Sequence, residues 1–222
     1  MPMRELIILG AGGFARETLD VVEALNAVSP RFDVLGFADD APSPLALERL
    51  ADRGHRHLGT IDAALAAHPA SSFVIAVGSP EHRAHIAARV GSDRAETLVH
   101  PGASIGSLTT IGVGTVVCAG VLVSTNVRVG RHAHLNPGAI VGHDSVLADT
   151  VSLNPGSVVS GDVRIGERVL IGAKSVVLQG LSIGADVTVG AAACVTKDAP
   201  ARVTLVGVPA RIHRTTGKSH SS

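Results

Sequence analysis

Residues 135–159 read LNPGAIVGHDSVLADTVSLNPGSVV, and two periods within this stretch decide the fold of most of the chain. An aliphatic residue returns every six positions, and the tetrapeptide Leu135–Gly138 recurs 18 positions later as Leu153–Gly156. Followed outward, the six-residue register holds from Val99 to Val195 without an insertion. Neither an α-helix, with its period of 3.6, nor an isolated strand, with its period of 2, keeps such a register. Hexapeptide repeats indicate a parallel β-helix, and the 18-residue period predicts three hexapeptides in each triangular coil.

The length of the register sets the size of this β-helix at about six coils, which at ~4.8 Å per coil makes a prism about 27 Å tall. Its interior must be narrow, because all four aromatic residues of the chain precede the repeats. A compact core normally uses aromatic rings as its largest apolar pieces. We therefore expect an α/β domain in residues 1–97, an all-β parallel β-helix in 98–200, and a C-terminal segment with an unstructured tail in 201–222.

The segment before the repeats predicts a short Rossmann-like β-α-β unit with a parallel sheet. Its expected elements are a strand at 5–9, a glycine-rich turn with a helix to about residue 26, strands at 33–37 and 72–77, and a helix from Pro80 capped by Ser79. The turn Gly10-Ala11-Gly12-Gly13-Phe14-Ala15 has the spacing of a dinucleotide fingerprint, which offers backbone N–H groups to a pyrophosphate. Because fewer than 100 residues precede the repeats, the domain corresponds to one mononucleotide half. That favours a nucleotide carrying something smaller than a second nucleoside.

Composition excludes several classes of partner. The chain has 19 Lys and Arg against 19 Asp and Glu, so no basic excess is present to neutralise the phosphates of a nucleic acid. No run of 18 apolar residues and no leader-like N-terminus is found, which predicts neither a membrane protein nor a secreted one. Two cysteines do not make a disulfide framework, so a cytoplasmic location is expected.

Four features together resemble the NeuD/PglD family of bacterial sugar acetyltransferases over residues 4 to about 214. They are the glycine-rich turn, the segment Gly36–Asp40, the entry Val99-His100-Pro101 into the repeats, and the closing Gly207–Arg211. The resemblance implies a left-handed β-helix, a homotrimer with active sites between subunits, acetyl-CoA as acetyl donor, and no metal. Family members acetylate the 4-amino group of nucleotide-linked 4-amino-4,6-dideoxy sugars, or O-acetylate sialic acid. The implied function is N-acetyltransfer to such a nucleotide-linked amino sugar, with O-acetylation of sialic acid or another sugar hydroxyl as the alternative.

The family's catalytic segment, an Asn-led hexapeptide followed by His and an acid, corresponds here to Asn136–Asp144. By this resemblance His143 is the general base, and Asp144 is the carboxylate that fixes its tautomer and strengthens it as a base. The chemistry fits, because an ammonium group has no lone pair and must give up a proton before its nitrogen attacks a thioester, and imidazole is suited to take that proton near neutral pH. Gly161, 18 residues beyond His143, is expected to leave space for a large side chain.

One position departs from the family, which commonly has a second histidine near the acetyl-CoA carbonyl nine residues after the first. Here that position is Ser152, whose hydroxyl can donate one hydrogen bond to the acetyl oxygen but carries no charge. His134 lies one coil before Ser152. It either replaces part of the missing imidazole or, together with His132, is an ordinary surface residue; we prefer the second interpretation.

The remaining site residues also carry over by position. For the nucleotide sugar they are Gly12, Gly13 and Phe14 at the phosphates, Asp39 and Asp40 at the nucleoside, and Gly78 at a close backbone approach; for the pantetheine arm of acetyl-CoA they are Ala173 and Ala191. His82 and His85 are interpreted as a solvated helix face.

Two other classes of function stay open. A β-helix metalloenzyme of the carbonic anhydrase type would need His132, His134 and His143 to meet around zinc across a subunit interface. Their spacing is not a recognised ligand set, and the β-α-β domain would have no role. The other class is a non-catalytic module that binds nucleotide sugars.

Overall fold

The computed structural model of the protein describes residues 3–213 of the 222 in the chain. Within that range, the part before the repeats is a three-stranded parallel sheet in the order β2-β1-β3 with four helices. The elements are β1 Arg4–Leu9, α1 Gly13–Val28, β2 Phe32–Ala38, α2 Pro44–Ala51, α3 Ile61–Ala67, β3 Ser72–Ile75 and α4 Pro80–Val90. The predicted β-α-β unit is thus confirmed, and α4 begins at the expected cap, where the Ser79 hydroxyl accepts the N–H of His82.

Helices cover both faces of this sheet because side chains alternate across β1. Leu6 and Ile8 pack with α1 in one apolar core, and Ile7 and Leu9 pack with α3 in another. The short helices α2 and α3 were not expected from the sequence. Each begins at a hydroxyl cap, Ser43 for α2 and Thr60 for α3.

The β-helix follows the six-residue register along its whole length. Every aliphatic position from Val99 to Val195 is the second residue of a two-residue strand. The strands, β4 to β20, are Leu98–Val99, Ser104–Ile105, Thr110–Ile111, Val116–Val117, Leu122–Val123, Arg128–Val129, His134–Leu135, Ile140–Val141, Val146–Leu147, Ser152–Leu153, Val158–Val159, Arg164–Ile165, Leu170–Ile171, Val176–Val177, Ser182–Ile183, Thr188–Val189 and Cys194–Val195.

Strands 18 residues apart pair in parallel and build the three faces of the prism. We call the sheet that contains β4, β10 and β13 face 1, the sheet that contains β8 and β11 face 2, and the sheet that contains β9 and β12 face 3. Face 1 is extended by β21 Thr204–Val206, which pairs with β22 Arg211–Ile212. The expected unstructured tail from Thr215 onward lies outside the described residues.

The corner between faces 2 and 3 turns through residues with positive φ, among them Asn126, Asp144 and Asp162 at 57°, 62° and 55°. Asn and Asp adopt this left-handed conformation more readily than other residues with a Cβ. The 18-residue period therefore places short polar side chains in a column along this corner.

The N-terminal unit packs on face 1. Leu98 and Val116, the outward residues of β4 and β7, share one apolar core with Leu19 and Val22 of α1. The corner between faces 2 and 3 lies opposite face 1, on the far side of the prism from this unit. Among the helices of residues 3–213, none has the length and apolar character needed to cross a membrane.

Candidate active site

A His–Asp pair lies on the corner between faces 2 and 3. His143 Nδ1 is 2.7 Å from Asp144 Oδ2, and about half of each side chain is exposed. Because an ionised carboxylate only accepts hydrogen bonds, Nδ1 carries the hydrogen, and Nε2 of the neutral ring keeps its lone pair. His143 therefore has the tautomer that a general base requires.

Asp144 is itself held in place by Asn126, one coil earlier. The Asn126 amide donates to Asp144 Oδ1 over 2.7 Å. This hydrogen bond, and then the one from His143, hold the pKa of Asp144 below its ordinary value, which keeps the carboxylate ionised. Asn126 was missed in the sequence, although the 18-residue step that leads from His143 to Gly161 also leads from Asp144 back to Asn126.

The imidazole of His143 lies against Gly161 in the next coil. A Cβ built on Gly161 would come within 2.6 Å of both Cε1 and Nε2 of the ring. The space expected beside His143 is therefore present, and the ring itself fills it.

A second site lies in the N-terminal unit, at the ends of β1 and β2 and just beyond β3. A cavity of about 280 Å³ opens there, lined by Gly10, Asp39, Asp40, Val77, His82 and His85 among others. A Cβ built on Gly12 or on Gly78 would meet nothing within 4 Å, so the backbone at both positions borders open space. His82 and His85 are exposed, as expected of a solvated face, but they also line this cavity.

Both predicted nucleoside-binding carboxylates line the cavity and are held by hydrogen bonds. Asp39 accepts the N–H groups of Ala11 and Ala41, over 2.8 and 2.9 Å. Asp40 accepts the N–H of Ile61 and pairs with Arg89, and these contacts hold its pKa below the ordinary value. Carboxylate oxygens have further lone pairs, which can accept from the N–H of a base or from ribose hydroxyls.

The N-terminus of α1 adjoins the cavity and is suited to an anion. Gly12 is its N-cap residue, and no side chain of residues 3–213 caps it. The first turn of α1 contains no acidic residue. The N–H groups at the start of a helix have no partner within the helix, and the helix dipole favours negative charge there. Gly12, Gly13 and Phe14 thus offer the donors that a diphosphate needs.

His132 and His134 are not surface residues, which corrects that interpretation. They are 2% and 1% exposed, because the N-terminal unit covers His134 on face 1 and His132 on the adjoining corner between faces 3 and 1. His134 Nε2 is 3.0 Å from the carbonyl oxygen of Ile75, and its ring stacks on Phe14 with 4.0 Å between centroids. His134 therefore lies between the N-terminal unit and face 1 of the β-helix, a contact that we call the junction. It cannot replace an imidazole at the acetyl group.

Ser152 also lies in this junction. It is 1% exposed, and its hydroxyl accepts a hydrogen bond from Arg83 over 2.8 Å and lies 3.4 Å from the carbonyl oxygen of Gly78. Within the chain it has no open face toward a ligand, which contradicts the predicted contact of its hydroxyl with acetyl-CoA. Arg83, which the sequence did not single out, is the residue that buries and occupies it.

Ala173 and Ala191 lie one coil apart on the corner between faces 1 and 2, and the Ala192 N–H donates to the carbonyl of Ala173. Face 2 separates this corner from the His143 corner. The structure therefore assembles the predicted nucleotide-binding residues in one place and the His143–Asp144 pair in another, and a single chain does not bring the two together.

The histidines of the metalloenzyme hypothesis do not form a ligand set. His132 and His134 are buried in the junction, while His143 is on the corner between faces 2 and 3, opposite face 1. Among residues 3–213, no three His, Cys, Asp or Glu side chains are grouped as they would be around a metal.

Comparison with known proteins gives matches to both parts of the chain. Residues 5–90 match the model of the PglD N-terminal domain, and residues 162–197 match that of the hexapeptide repeat of succinyl-transferase. GDP-perosamine N-acetyltransferase of Escherichia coli O157:H7 is 32% identical over 148 residues, which are 65% of this chain and 65% of that protein.

Two solved structures are similar over nearly their whole length. PerB from Caulobacter crescentus, in complex with CoA and GDP-perosamine, has a TM-score of 0.84 and 29% identity, over 96% of this chain and 99% of its own. The acetyltransferase domain of PglB from Neisseria gonorrhoeae FA1090 has a TM-score of 0.80 and 30% identity, over 95% and 100%.

A left-handed β-helix of hexapeptides with a half-exposed His–Asp pair, joined to a small β-α-β domain, defines a class of acyltransferases that use acyl-CoA donors. Within that class the similarity extends to both domains and to full-length structures. The chain belongs to the NeuD/PglD family of sugar acetyltransferases.

Proposed function

We propose that this protein transfers the acetyl group of acetyl-CoA to the 4-amino group of a nucleotide-linked amino-dideoxy sugar, and that it does so in the cytoplasm. The observation that carries the proposal is the half-exposed His143–Asp144 pair, in which Nε2 keeps its lone pair, on a chain that also holds an open nucleotide-type cavity. The similar proteins support the substrate class, because PerB was solved with CoA and GDP-perosamine.

The proposed reaction uses His143 as the base. The amine nitrogen attacks the thioester carbonyl and forms the new C–N bond, while Nε2 takes one proton from the nitrogen. The C–S bond then breaks, and the proton passes from Nε2 to the sulfur, which leaves as the CoA thiol. Asp144 keeps Nδ1 protonated throughout and stabilises the imidazolium that forms between the two steps.

The cavity at Asp39 and Asp40 is the proposed nucleotide site. The diphosphate lies at the N–H groups of Gly12, Gly13 and Phe14, and the base and ribose are held by the two carboxylates. The open backbone at Gly78 lets the sugar pass close to the chain.

The proposed active site is shared between two copies of the chain. The nucleotide cavity belongs to the unit on face 1, whereas His143 lies on the corner opposite face 1. A nucleotide sugar bound in one copy can therefore reach a base only in a neighbouring copy. In this arrangement the pantetheine arm of acetyl-CoA lies along Ala173 and Ala191, on the corner between faces 1 and 2. His143 is at the opposite edge of face 2.

The proposed assembly is a homotrimer formed around face 2. Its outward residues Leu122, Ile140, Val158 and Val176 make an apolar stripe, of which Leu122 and Ile140 are 49% and 37% exposed. The outward residues of face 3 include Thr110, Arg128, Arg164 and Ser182 and are more polar. A continuous apolar stripe beside a catalytic corner is typical of a surface covered by another subunit.

The test measures CoA thiol release from acetyl-CoA with GDP-, UDP- and dTDP-linked 4-amino-4,6-dideoxy sugars and with sialic acid. We expect turnover with one nucleotide sugar and its loss in His143→Ala. A matched variant, His68→Ala, should keep the wild-type rate, since His68 ends α3 away from both sites.

Three other outcomes would each contradict part of this proposal. Turnover with sialic acid alone would replace the proposal by O-acetylation. Nucleotide-sugar binding without turnover would make the protein a binding module. Full activity in His143→Ala would remove the proposed base.

A further inference from the structure

The junction between the two units is built around one buried cation. Arg83, in the first turns of α4, is fully buried, and burial lowers its pKa to about 9, which leaves it charged at neutral pH. Its guanidinium donates to neutral oxygens only, as far as the described residues show. These are the carbonyl oxygens of Val77 and Gly78 in its own unit, the carbonyl oxygens of His132, Thr150 and Val151 in the β-helix, and the hydroxyl of Ser152.

Different nitrogens of the Arg83 guanidinium bind the two units. Nη1 holds the turn Val77-Gly78, while Nε and Nη2 hold the corner between faces 3 and 1 and the start of β13. A buried guanidinium without a carboxylate partner is stabilised only while all of these oxygens stay in place. Arg83 therefore ties the backbone at Gly78 to one position on the β-helix.

A second contact fixes the other turn of the nucleotide cavity. Phe14, at the start of α1, stacks on His134 in β10, the strand that pairs with β13. The glycine-rich turn and the Gly78 turn thus rest on neighbouring strands of face 1. Together they determine where the cavity, and any sugar that leaves it past Gly78, lies relative to the β-helix.

We infer that Arg83 is a positioning residue of the enzyme, which holds the nucleotide cavity in the fixed place on face 1 from which the sugar amine reaches the base. The inference rests on the proposed function for its catalytic consequence, but its structural part does not. Arg83 acts through the backbone of Gly78 and does not touch the reacting atoms. Its loss should therefore lower the turnover number more than it weakens nucleotide binding.

Arg94 offers a matched control. Its Nη1 donates to the carbonyl oxygens of His68, Pro69 and Ser71, so it too binds several backbone oxygens, but all of them within the N-terminal unit. Arg83→Met and Arg94→Met each remove a guanidinium that binds several backbone oxygens. Only Arg83→Met removes hydrogen bonds between the N-terminal unit and the β-helix. Arg83→Lys keeps the positive charge but loses the branched guanidinium, because one ammonium group cannot reach the oxygens of both units.

The experiment measures kcat and KM for thiol release, the Kd of the nucleoside diphosphate that the wild type binds best among GDP, UDP and dTDP, and amide hydrogen exchange in residues 76–84. We expect Arg83→Met and Arg83→Lys to lower kcat at least about tenfold through misplacement of the amine, with a Kd within about threefold of wild type. Exchange at 76–84 should accelerate. Arg94→Met should lower the melting temperature and leave kcat and this exchange unchanged.

Unchanged kcat in folded Arg83 variants, or an equal loss in Arg94→Met, would overturn the inference. If Arg83→Met does not fold, the test uses Arg83→Lys and Ser152→Ala instead. Ser152→Ala removes one of the hydrogen bonds of Arg83 and should also lower kcat and accelerate exchange. Absence of turnover in the wild type would instead refute the proposed function. The exchange comparison would then decide alone whether Arg83 holds the junction.

Discussion

Asn126 and Asp144 lie one coil apart on the same corner of the β-helix, and the amide of the first donates to the carboxylate of the second over 2.7 Å. Asp144 uses its other oxygen for His143 Nδ1. The chain thus presents a line of three side chains, amide to carboxylate to imidazole, in which each member fixes the orientation of the next.

Removal of the Asn126 amide should impair the base without disturbing the fold. In Asn126→Gly the positive φ is relieved while the hydrogen bond is lost, so we expect kcat to fall by roughly three- to tenfold. The pKa of Asp144 should rise toward its ordinary value, because the hydrogen bond that contributes most to lowering it is lost. Asn126→Asp, which adds a like charge, should be worse than Asn126→Gly; equal rates in both variants and the wild type would contradict this role.

Gly161 should tolerate no side chain if His143 is the base. In Gly161→Ala the new Cβ would fall 2.6 Å from the ring and force His143 away from Asp144. We expect kcat to drop by about 100-fold or more with an unchanged melting temperature and unchanged nucleoside diphosphate affinity. A fully active Gly161→Ala would show that this orientation of His143 is not the reactive one.

Acidification should destabilise the junction. Burial, and then the charge of Arg83, lower the pKa of His132 to about 4 from 6.5, and lower that of His134 well below its ordinary value. The unfolded chain binds protons on these histidines below pH 6.5 and the folded chain does not, so the stability present above pH 6.5 is lost as the pH falls toward 4. For His132 alone the loss between pH 7 and 5 is on the order of 2 kcal/mol.

Urea unfolding at several pH values measures this loss. His132→Gln should flatten the dependence of the unfolding free energy on pH, whereas His68→Gln, outside the junction, should leave it as in the wild type. The same slope in His132→Gln and the wild type would contradict a neutral, buried His132.

The apolar stripe on face 2 should control assembly. Ile140→Glu places a charge in the proposed interface, and we expect a monomer with less than about a tenth of the wild-type activity, because burial of an unpaired charge opposes association. Thr110→Glu, on face 3, should assemble and act normally. Light scattering coupled to size-exclusion chromatography distinguishes the two, and an assembled Ile140→Glu protein would exclude this face as the interface.

The β-helix could be predicted from the sequence down to single residues, because its constraint is local and repeated. Each aliphatic residue of the register faces the interior of one coil, and an insertion anywhere would have broken the period. The same period places Gly161 and Asn126 beside the His–Asp pair, and only the first was recognised.

The junction could not be predicted, because its contacts join residues far apart in the chain. Arg83 stands among exposed residues of an amphipathic helix, and its partners Thr150 and Ser152 are 67 and 69 positions away. The same holds for His134, which looks like an outward surface residue of a strand until the N-terminal unit covers it. The interpretation of His132 and His134 as surface residues was therefore wrong, and so was the contact with acetyl-CoA that the family resemblance implied for Ser152.

The central claim is that a nucleotide sugar held by one copy is acetylated with the help of His143 from another, and subunit mixing tests it most directly. His143→Asn lacks the base, and Gly12→Asp places a carboxylate where the diphosphate binds, so each variant alone should be inactive with the nucleotide sugar that the wild type uses.

The two variants would be unfolded together, refolded at equal amounts, and assayed for thiol release after mass spectrometry has verified mixed oligomers. We predict recovery of about a quarter of the wild-type rate, because one neighbouring pair in four then combines an intact cavity with an intact base. Mixed oligomers that remain inactive would contradict a site shared between copies.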